Sequence, residues 1–302
     1  MKHYTFDIPL WEMIKQRTSE AIESKALHSI PTEYELFTEG DITFLVRVLS
    51  TLARKDQEKH TAVLSSSLSA PKTAINPFLP YEKALYVTDI SPTHVCLLNK
   101  YNVIDHHILL VTREFEDQEI LLSINDFDAL LTCLNTYESL GFYNGGTIAG
   151  ASQRHKHVQV IPLPMHNKGK RIPIESAFSE SDQTDRIIYS KRLPFHHGLI
   201  YLNENIHAKQ LCDNYHALMD HFNLIGKRLP DGQNTQSAPY NLLVTKEWMF
   251  LVPRLCECYE SISINSLGFA GALLVRNITQ LELLKQIGPI PILSSVAYSL
   301  SQ

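Results

Sequence analysis

The sequence predicts an α+β fold of two similar halves, built mostly from antiparallel sheets with helices packed against them. Three observations carry that expectation. Short β-type runs follow one another without a helix-length segment between them, which favours antiparallel pairing through short turns. Apolar residues recur at helical spacing in three separate windows. The segment running from Tyr143-Asn144 to HVQVIPLP is echoed by YNLLVTKEWMFLVPR, each a Tyr-Asn pair ahead of an apolar strand that ends in proline, with histidines in the first copy only.

In chain order, residues 9–27 place Leu10, Met13, Ile14, Ala21 and Ile22 on one side of a helix, and residues 42–50 read as a strand. From Leu64 to Pro80 the chain is rich in Ser and Pro and shows neither period, so a long loop is expected. ALYVTDI, THVCLLNKY and HHILLVTR are three short strands. Residues 123–141 carry a helix pattern, with Ser123 and Asp126 as a capping box, Phe127, Leu130, Leu131 and Leu134 on one face, and Gly141 as terminator. FYNGGTIAGASQ then reads as a glycine-rich connection and HKHVQVIPLP as a strand. In the second half, FHHGLIYL is a strand, residues 207–226 form a helix facing inward through Leu211, Tyr215, Leu218 and Phe222, and a hairpin turns at Thr245-Lys246-Glu247. The expected division is residues 1–165 as a catalytic half, 166–185 as a connecting loop and 186–302 as a second half closing over the site.

Composition narrows the function. At about 150 residues per domain, 302 residues accommodate two such units. Hydrophobic residues make up 44% and charged residues 20%, ordinary globular values. Lys and Arg total 27 against 32 Asp and Glu, a formal charge of −5, which disfavours general nucleic-acid binding. Five cysteines without framework spacing point to a reduced, cytoplasmic protein, and no run of about 18 apolar residues predicts a membrane span.

The chemistry concentrates in Gly150-Ala151-Ser152-Gln153-Arg154-His155-Lys156-His157-Val158-Gln159. On a strand, alternate residues share a face, so His155, His157 and Gln159 line up ~7 Å apart while Val158 and Val160 face the core. Ahead of them, Gly145, Gly146, Gly150 and Ser152 allow backbone N–H groups to converge on a phosphate. Together these point to a neutral imidazole attacking phosphorus, one nitrogen nucleophilic while the other keeps its proton. Gln159 donates a hydrogen bond but cannot titrate, which favours group transfer over hydrolysis. On the residues alone a metal-ligand pair, exposed edge histidines and plain structural hydrogen bonding all stay open.

GASQRHKHVQVIPL resembles the active-site strand of the ATP adenylyltransferases, or diadenosine tetraphosphate phosphorylases, relatives of the galactose-1-phosphate uridylyltransferases in the histidine-triad superfamily. Histidine-triad hydrolases have His at the third alternate position, whereas this transferase branch has Gln, as at Gln159. THVCLLNKYNVIDHHILLVTREFEDQ and SINSLGFAGALLVR extend the resemblance over about residues 42–297. It implies two fused histidine-triad-like halves and one working site. His157 would be the nucleophile of an adenylyl-histidine intermediate, His155 its orienting neighbour and Gln159 a ligand of the α-phosphate. Gly150, Ala151, Ser152 and Gln153 would wrap the phosphate, Asn144 would contact the nucleotide, and Asn99 with Lys100 would line the pocket. Lys55, Asn265, Ser266, Leu267 and Arg276 would reach the distal phosphates or second nucleotide. The family often has Pro before H-K-H. Arg154 stands there in this chain and is left outside the expected site.

The implied partners are diadenosine tetraphosphate, ATP, ADP and inorganic phosphate, with no nucleic acid or membrane, and a monomer is expected. No tightly bound cofactor or protein metal site is expected. A divalent metal such as Mg would accompany the polyphosphate as part of the substrate. A hexose-1-phosphate nucleotidylyltransferase and a non-catalytic nucleotide- or metal-binding protein are the competing readings.

Overall fold

The computed structural model describes residues 7–49, 76–167, 170–180 and 186–300. Lys55 and the Ser-rich part of the expected loop lie outside them. Helix α1 (Leu10–Glu23) buries Leu10, Ile14, Thr18 and Ala21, whereas Ile22, expected on the same face, is exposed. Strands β1 (Thr32–Glu39) and β2 (Ile42–Leu49) form an antiparallel hairpin. β1 was missed in the sequence because it is a solvated edge, TEYELFTE, with no buried face to impose a pattern.

The three expected short strands are β3 (Tyr86–Asp89), β4 (His94–Leu98) and β5 (Ile108–Thr112), paired antiparallel in sequence. Helix α2 (Ile124–Thr136) begins at the predicted capping box: the Ser123 amide donates to Asp126 Oδ2 at 2.7 Å. Gly141 does not end this helix. It lies inside β6 (Ser139–Gly145), where a side chain would collide with Leu130 Cδ1. The expected glycine-rich connection is therefore strand as far as Gly145.

The remaining elements are β7 (His157–Pro162), β8 (Gly198–Tyr201), α3 (Ala208–His221), β9 (Ile225–Arg228), β10 (Asn234–Gln236), β11 (Tyr240–Val244), β12 (Trp248–Pro253), β13 (Cys258–Tyr259), β14 (Ile262–Ser263), α4 (Ser266–Phe269), β15 (Ala272–Val275), α5 (Ile278–Ile287) and α6 (Pro289–Val296). A 3-10 helix (Pro173–Glu180) lies within the crossing segment read as polar loop.

One antiparallel sheet of eight strands, in the order β3-β4-β5-β7-β6-β11-β12-β8, contains strands from both halves. The halves meet edge to edge at β6 and β11, with Asn144 opposite Asn241. A smaller sheet, β1-β2-β15, pairs β2 of the first half in parallel with β15 of the second. One face of the large sheet, including Val158, Val160, Leu242 and Met249, packs on α1, α2 and α3. The other, including Leu140, Phe142, Leu243 and Phe250, packs on β2, β15 and the C-terminal helices. Among the described residues no helix is long and apolar enough to cross a membrane.

Because Leu130 occupies the space where a side chain at Gly141 would sit, Gly141→Ala should destabilise the fold by about 1–3 kcal/mol through overpacking. Leu130→Ala should recover part of that loss in the double variant, read as non-additivity in urea unfolding. Strictly additive effects would refute the contact as the reason for glycine.

Candidate active site

The histidine row begins just before β7. His155 bridges Asp117 in an isolated antiparallel pair, and β7 starts at His157 between β5 and β6. Both nitrogens of the buried His155 are engaged: Asn76 Nδ2 donates to its Nδ1 at 3.0 Å, and its Nε2–H donates to the Thr112 carbonyl at 2.8 Å. Burial lowers its pKa against those bonds to the Thr112 and Glu114 carbonyls. A ring so occupied has no lone pair free for a metal in this arrangement. Among the described residues no cluster of three metal-ligating side chains occurs elsewhere either.

His157 differs. Its Nδ1–H donates to the His155 carbonyl at 2.8 Å, which fixes the tautomer and leaves the Nε2 lone pair without a hydrogen bond among the described residues. The ring is 4% exposed, and burial pushes its pKa down to about 4, so it is neutral at physiological pH. Phe78 packs on both His155 and His157, and Phe115 on His155. The end of the expected loop, residues 76–80, thus lies over the histidine row. A neutral imidazole with one nitrogen locked and the other free is chemically suited to nucleophilic attack.

Two buried groups not singled out in the sequence hold this strand. Gln118 accepts the His157 amide at 2.9 Å through Oε1 and donates to the Asn144 carbonyl at 3.0 Å, tying β7 to β6 at the site. Lys156, fully buried on the opposite face, donates to Glu116 at 2.7 Å and to the Leu121 carbonyl at 3.1 Å, with Asp126 3.7 Å away. Burial opposes the charge on Asp126, but Lys156, His94 and Ser123 together hold it well below the usual carboxylate range. Gln118 sits in a stretch without periodic signal, and the partners of Lys156 lie 30 to 40 residues away in sequence, so neither was visible from pattern alone.

Beside β7 lies a cavity of about 340 Å³, lined by Asn99, His107, Phe142 and Gln159 on the large-sheet side and by Arg47, Asn265, Leu267 and Arg276 on the other. Among the described residues no Asp or Glu lines it. His107 accepts from Asn99 Nδ2 at 3.0 Å on Nδ1, which places its proton on Nε2. That Nε2–H is buried without a hydrogen-bond partner, and the Gln159 side chain is near enough to favour the charged ring, although burial dominates and lowers its pKa to about 3. A larger, more open cavity around Arg186 and Asn214 lies against β8 and α3, away from this chemistry.

The structure does not gather all the expected residues. Lys100 is ion-paired with Glu82 at 2.6 Å and is not among the cavity-lining residues. Asn144 Oδ1 already accepts from Asn241 Nδ2, the Ser266 amide and Ser266 Oγ, at 3.0, 3.0 and 2.7 Å. Ser266 is fully buried in this junction, whereas Asn265 and Leu267 on either side of it face the cavity. Gly150 has φ +94°, and a side chain there would run into Asn265, so glycine permits the close approach of the two segments. The amides of Gly150 and Ala151 are spent within the turn, on the Thr147 and Gly146 carbonyls. Those of Ser152 and Gln153 make no backbone hydrogen bond among the described residues. Arg154 is exposed and paired with Asp117.

Two independent comparisons place the chain among the nucleotidyltransferases. It belongs to the Ap4A phosphorylase family: the sequence model of the Ap4A phosphorylase N-terminal domain matches residues 3–180, and that of the ATP adenylyltransferase C-terminal domain matches residues 191–299. Diadenosine 5',5'''-P1,P4-tetraphosphate phosphorylase 2 of Saccharomyces cerevisiae is 30% identical over 241 residues, 69% of this chain and 71% of that protein. Protein APA1 of the same yeast is 25% identical over 285 residues, 88% of this chain and 86% of its own. The fold matches the crystal structure of yeast Ap4A phosphorylase Apa2 in complex with Ap4A, with a TM-score of 0.78 and 22% identity over 98% of this chain and 99% of that one.

Buried neutral histidines tie stability to pH. His107, His157 and His197 are held at about 3, 4 and 4 by burial, so in the folded state they stay neutral while the unfolded chain takes up protons below about 6.5. The unfolded state then binds more protons, and stability must fall as pH drops from about 6.5 towards 4. Each histidine should contribute up to roughly 2 kcal/mol of loss at pH 5, seen as a lower urea midpoint. His197→Gln should flatten that slope whatever it does to stability at pH 7; an unchanged slope would contradict the neutral assignment.

Proposed function

We propose that this protein cleaves diadenosine tetraphosphate with inorganic phosphate to ATP and ADP, reversibly, through an adenylyl-histidine intermediate. The observation that carries the reading is the locked tautomer of His157, whose Nδ1–H is held by the His155 carbonyl while Nε2 keeps its lone pair. Membership of the family, and the yeast relative named as a diadenosine tetraphosphate phosphorylase, support the choice of substrate.

In the first half-reaction His157 Nε2 attacks the α-phosphorus, the P–N bond forms as the bond to the bridging oxygen breaks, and ATP leaves with that oxygen. Phosphate then attacks the same phosphorus, the P–N bond breaks, and ADP forms. His155 positions His157 through its carbonyl and has no free nitrogen to act as an acid or base. Gln159 donates to a non-bridging α-oxygen, and the free amides of Ser152 and Gln153 complete that donor set. Asn99 serves the pocket through His107. Asn144 serves it by tying Ser266 and its neighbours Asn265 and Leu267 to β6, and Arg276 faces the phosphates. Mg enters with the polyphosphate, with which it shields charge, as part of the substrate. We further propose a cytoplasmic monomer. Its five cysteines are free thiols, and one chain supplies both sides of the cavity.

Anion-exchange analysis of products tests the reading. Wild type should give equal ATP and ADP from diadenosine tetraphosphate only when phosphate is present, and His157→Ala should lose several orders of magnitude in rate. ATP plus AMP without phosphate would mean a hydrolase. Gln159→Ala should retain the products but slow the reaction about 10²–10³-fold. With His157 at about 4, single-turnover adenylylation should be flat from pH 5 to 8, because this dinucleotide has no terminal phosphate to titrate near 6. An acid limb near 6.5 would contradict a pre-neutralised nucleophile.

A further inference from the structure

Arg47 has no place in the motif, yet it lines the same cavity as Gln159. It sits on β2 opposite Tyr34 of β1 and opposite Leu274 of β15, two residues before Arg276. Its side chain is half-buried, and among the described residues no carboxylate lies within ion-pair distance. Nη1 donates to Thr32 Oγ1 at 3.2 Å, but Nε is buried with no hydrogen-bond partner among the described residues. Burial lowers its pKa against the nearby charge of Asp105, without removing the positive charge at neutral pH.

An incompletely paired guanidinium facing a cavity is unfavourable unless a ligand completes it. Among the described residues the cavity supplies no acidic side chain to do so, and the other charged residue of its wall is a second arginine. An anion must therefore be the partner, and the planar fork of a guanidinium fits phosphate oxygens in pairs. The α-phosphate is already provided for on β7, in the opposite wall. We propose that Arg47 binds the phosphates beyond the α-phosphate, so that Arg47 and Arg276 hold the polyphosphate of the departing nucleoside triphosphate. This rests on the adenylyl-transfer reading and assigns to its leaving group a residue that the sequence motif does not contain.

The ligand class is a nucleoside triphosphate or a bare polyphosphate, and a guanidinium could instead stack on a base, so the probes must separate these contacts. Isothermal titration calorimetry would compare ATP, AMP and tripolyphosphate on wild type, Arg47→Gln and Arg47→Lys. Arg47→Gln should weaken ATP and tripolyphosphate about 10- to 100-fold, the scale of a lost charge-assisted hydrogen bond, and leave AMP within about twofold. Arg47→Lys keeps the charge and loses the fork, so it should lose about 3- to 10-fold for ATP. Lysine carries the same comparison should the glutamine variant not fold. Equal weakening of AMP and ATP would assign Arg47 to the nucleoside or to general structure, and unchanged ATP affinity would remove it from the site. Either result overturns the proposal. The binding readout does not depend on turnover, so wild type that binds ATP but releases none from diadenosine tetraphosphate would overturn the phosphorolysis reading separately.

Discussion

The antiparallel contact between β6 and β11 is the constraint on which the site depends, because it joins the halves at Asn144 and Asn241. Those side chains do more than pair. Asn241 Nδ2 donates to Asn144 Oδ1, to the Ala149 carbonyl and to Ser266 Oγ. Its own Oδ1 accepts from Arg254, a fully buried arginine with no carboxylate partner among the described residues. An isolated buried charge costs several kcal/mol. Here the cost is offset by carbonyls of Val296, Ile264, Cys256 and Glu257, which complete the guanidinium's hydrogen bonds. Burial lowers the Arg254 pKa to about 10, still well above neutrality. The segment leading to Asn265 is thereby fastened to the strand that ends at Gly145, and a cavity with walls from both halves follows.

The same local geometry occurs twice, with opposite chemical consequences. His197 donates from Nδ1 to the Phe195 carbonyl at 2.7 Å, as His157 does to that of His155. Both rings are neutral because burial penalises the charged form. The difference lies at the other nitrogen: the Ser190 amide donates to His197 Nε2 at 2.8 Å. An imidazole whose lone pair is spent on a backbone amide cannot attack phosphorus. A carbonyl two residues upstream sets the tautomer in both places, and what reaches the second nitrogen decides whether the lone pair is spent or free.

The parts of this arrangement that were legible in the sequence are those governed by short-range rules. The Ser123 and Asp126 capping box, the alternation that sends Val158 and Val160 to the core, and the hairpin turning after Val244 depend on residues a few positions apart. What was not legible depends on partners far along the chain. Gly141 read as a helix stop because its reason for being glycine, Leu130, approaches from another layer. Asn144 read as a nucleotide contact, although its carbonyl oxygen is taken by groups 97 and 122 residues away. Lys100 read as a pocket cation until Glu82 claimed it. His155 and His157 have the same identity and spacing in any H-x-H, and only the surroundings of their four nitrogens separate a positioning ring from a nucleophilic one.

Charge distribution completes the argument. The chain carries a formal charge of −5, so a polyphosphate meets net repulsion at long range. The cavity wall reverses that locally: among the described residues it has two arginines, several amide and imidazole donors and no carboxylate. Between weakly hydrated walls such as Phe142, Ile264 and Leu273 these donors act in a lower dielectric than water, which strengthens their attraction for an anion. Carboxylates beside the histidine strand are paired within the fold: Lys156 lies between Glu116 and Asp126, and Arg154 pairs with Asp117. Burying Lys156 on the face of β7 opposite His157 places a positive charge against those carboxylates behind the strand, where it opposes their field at the neutral imidazole in front.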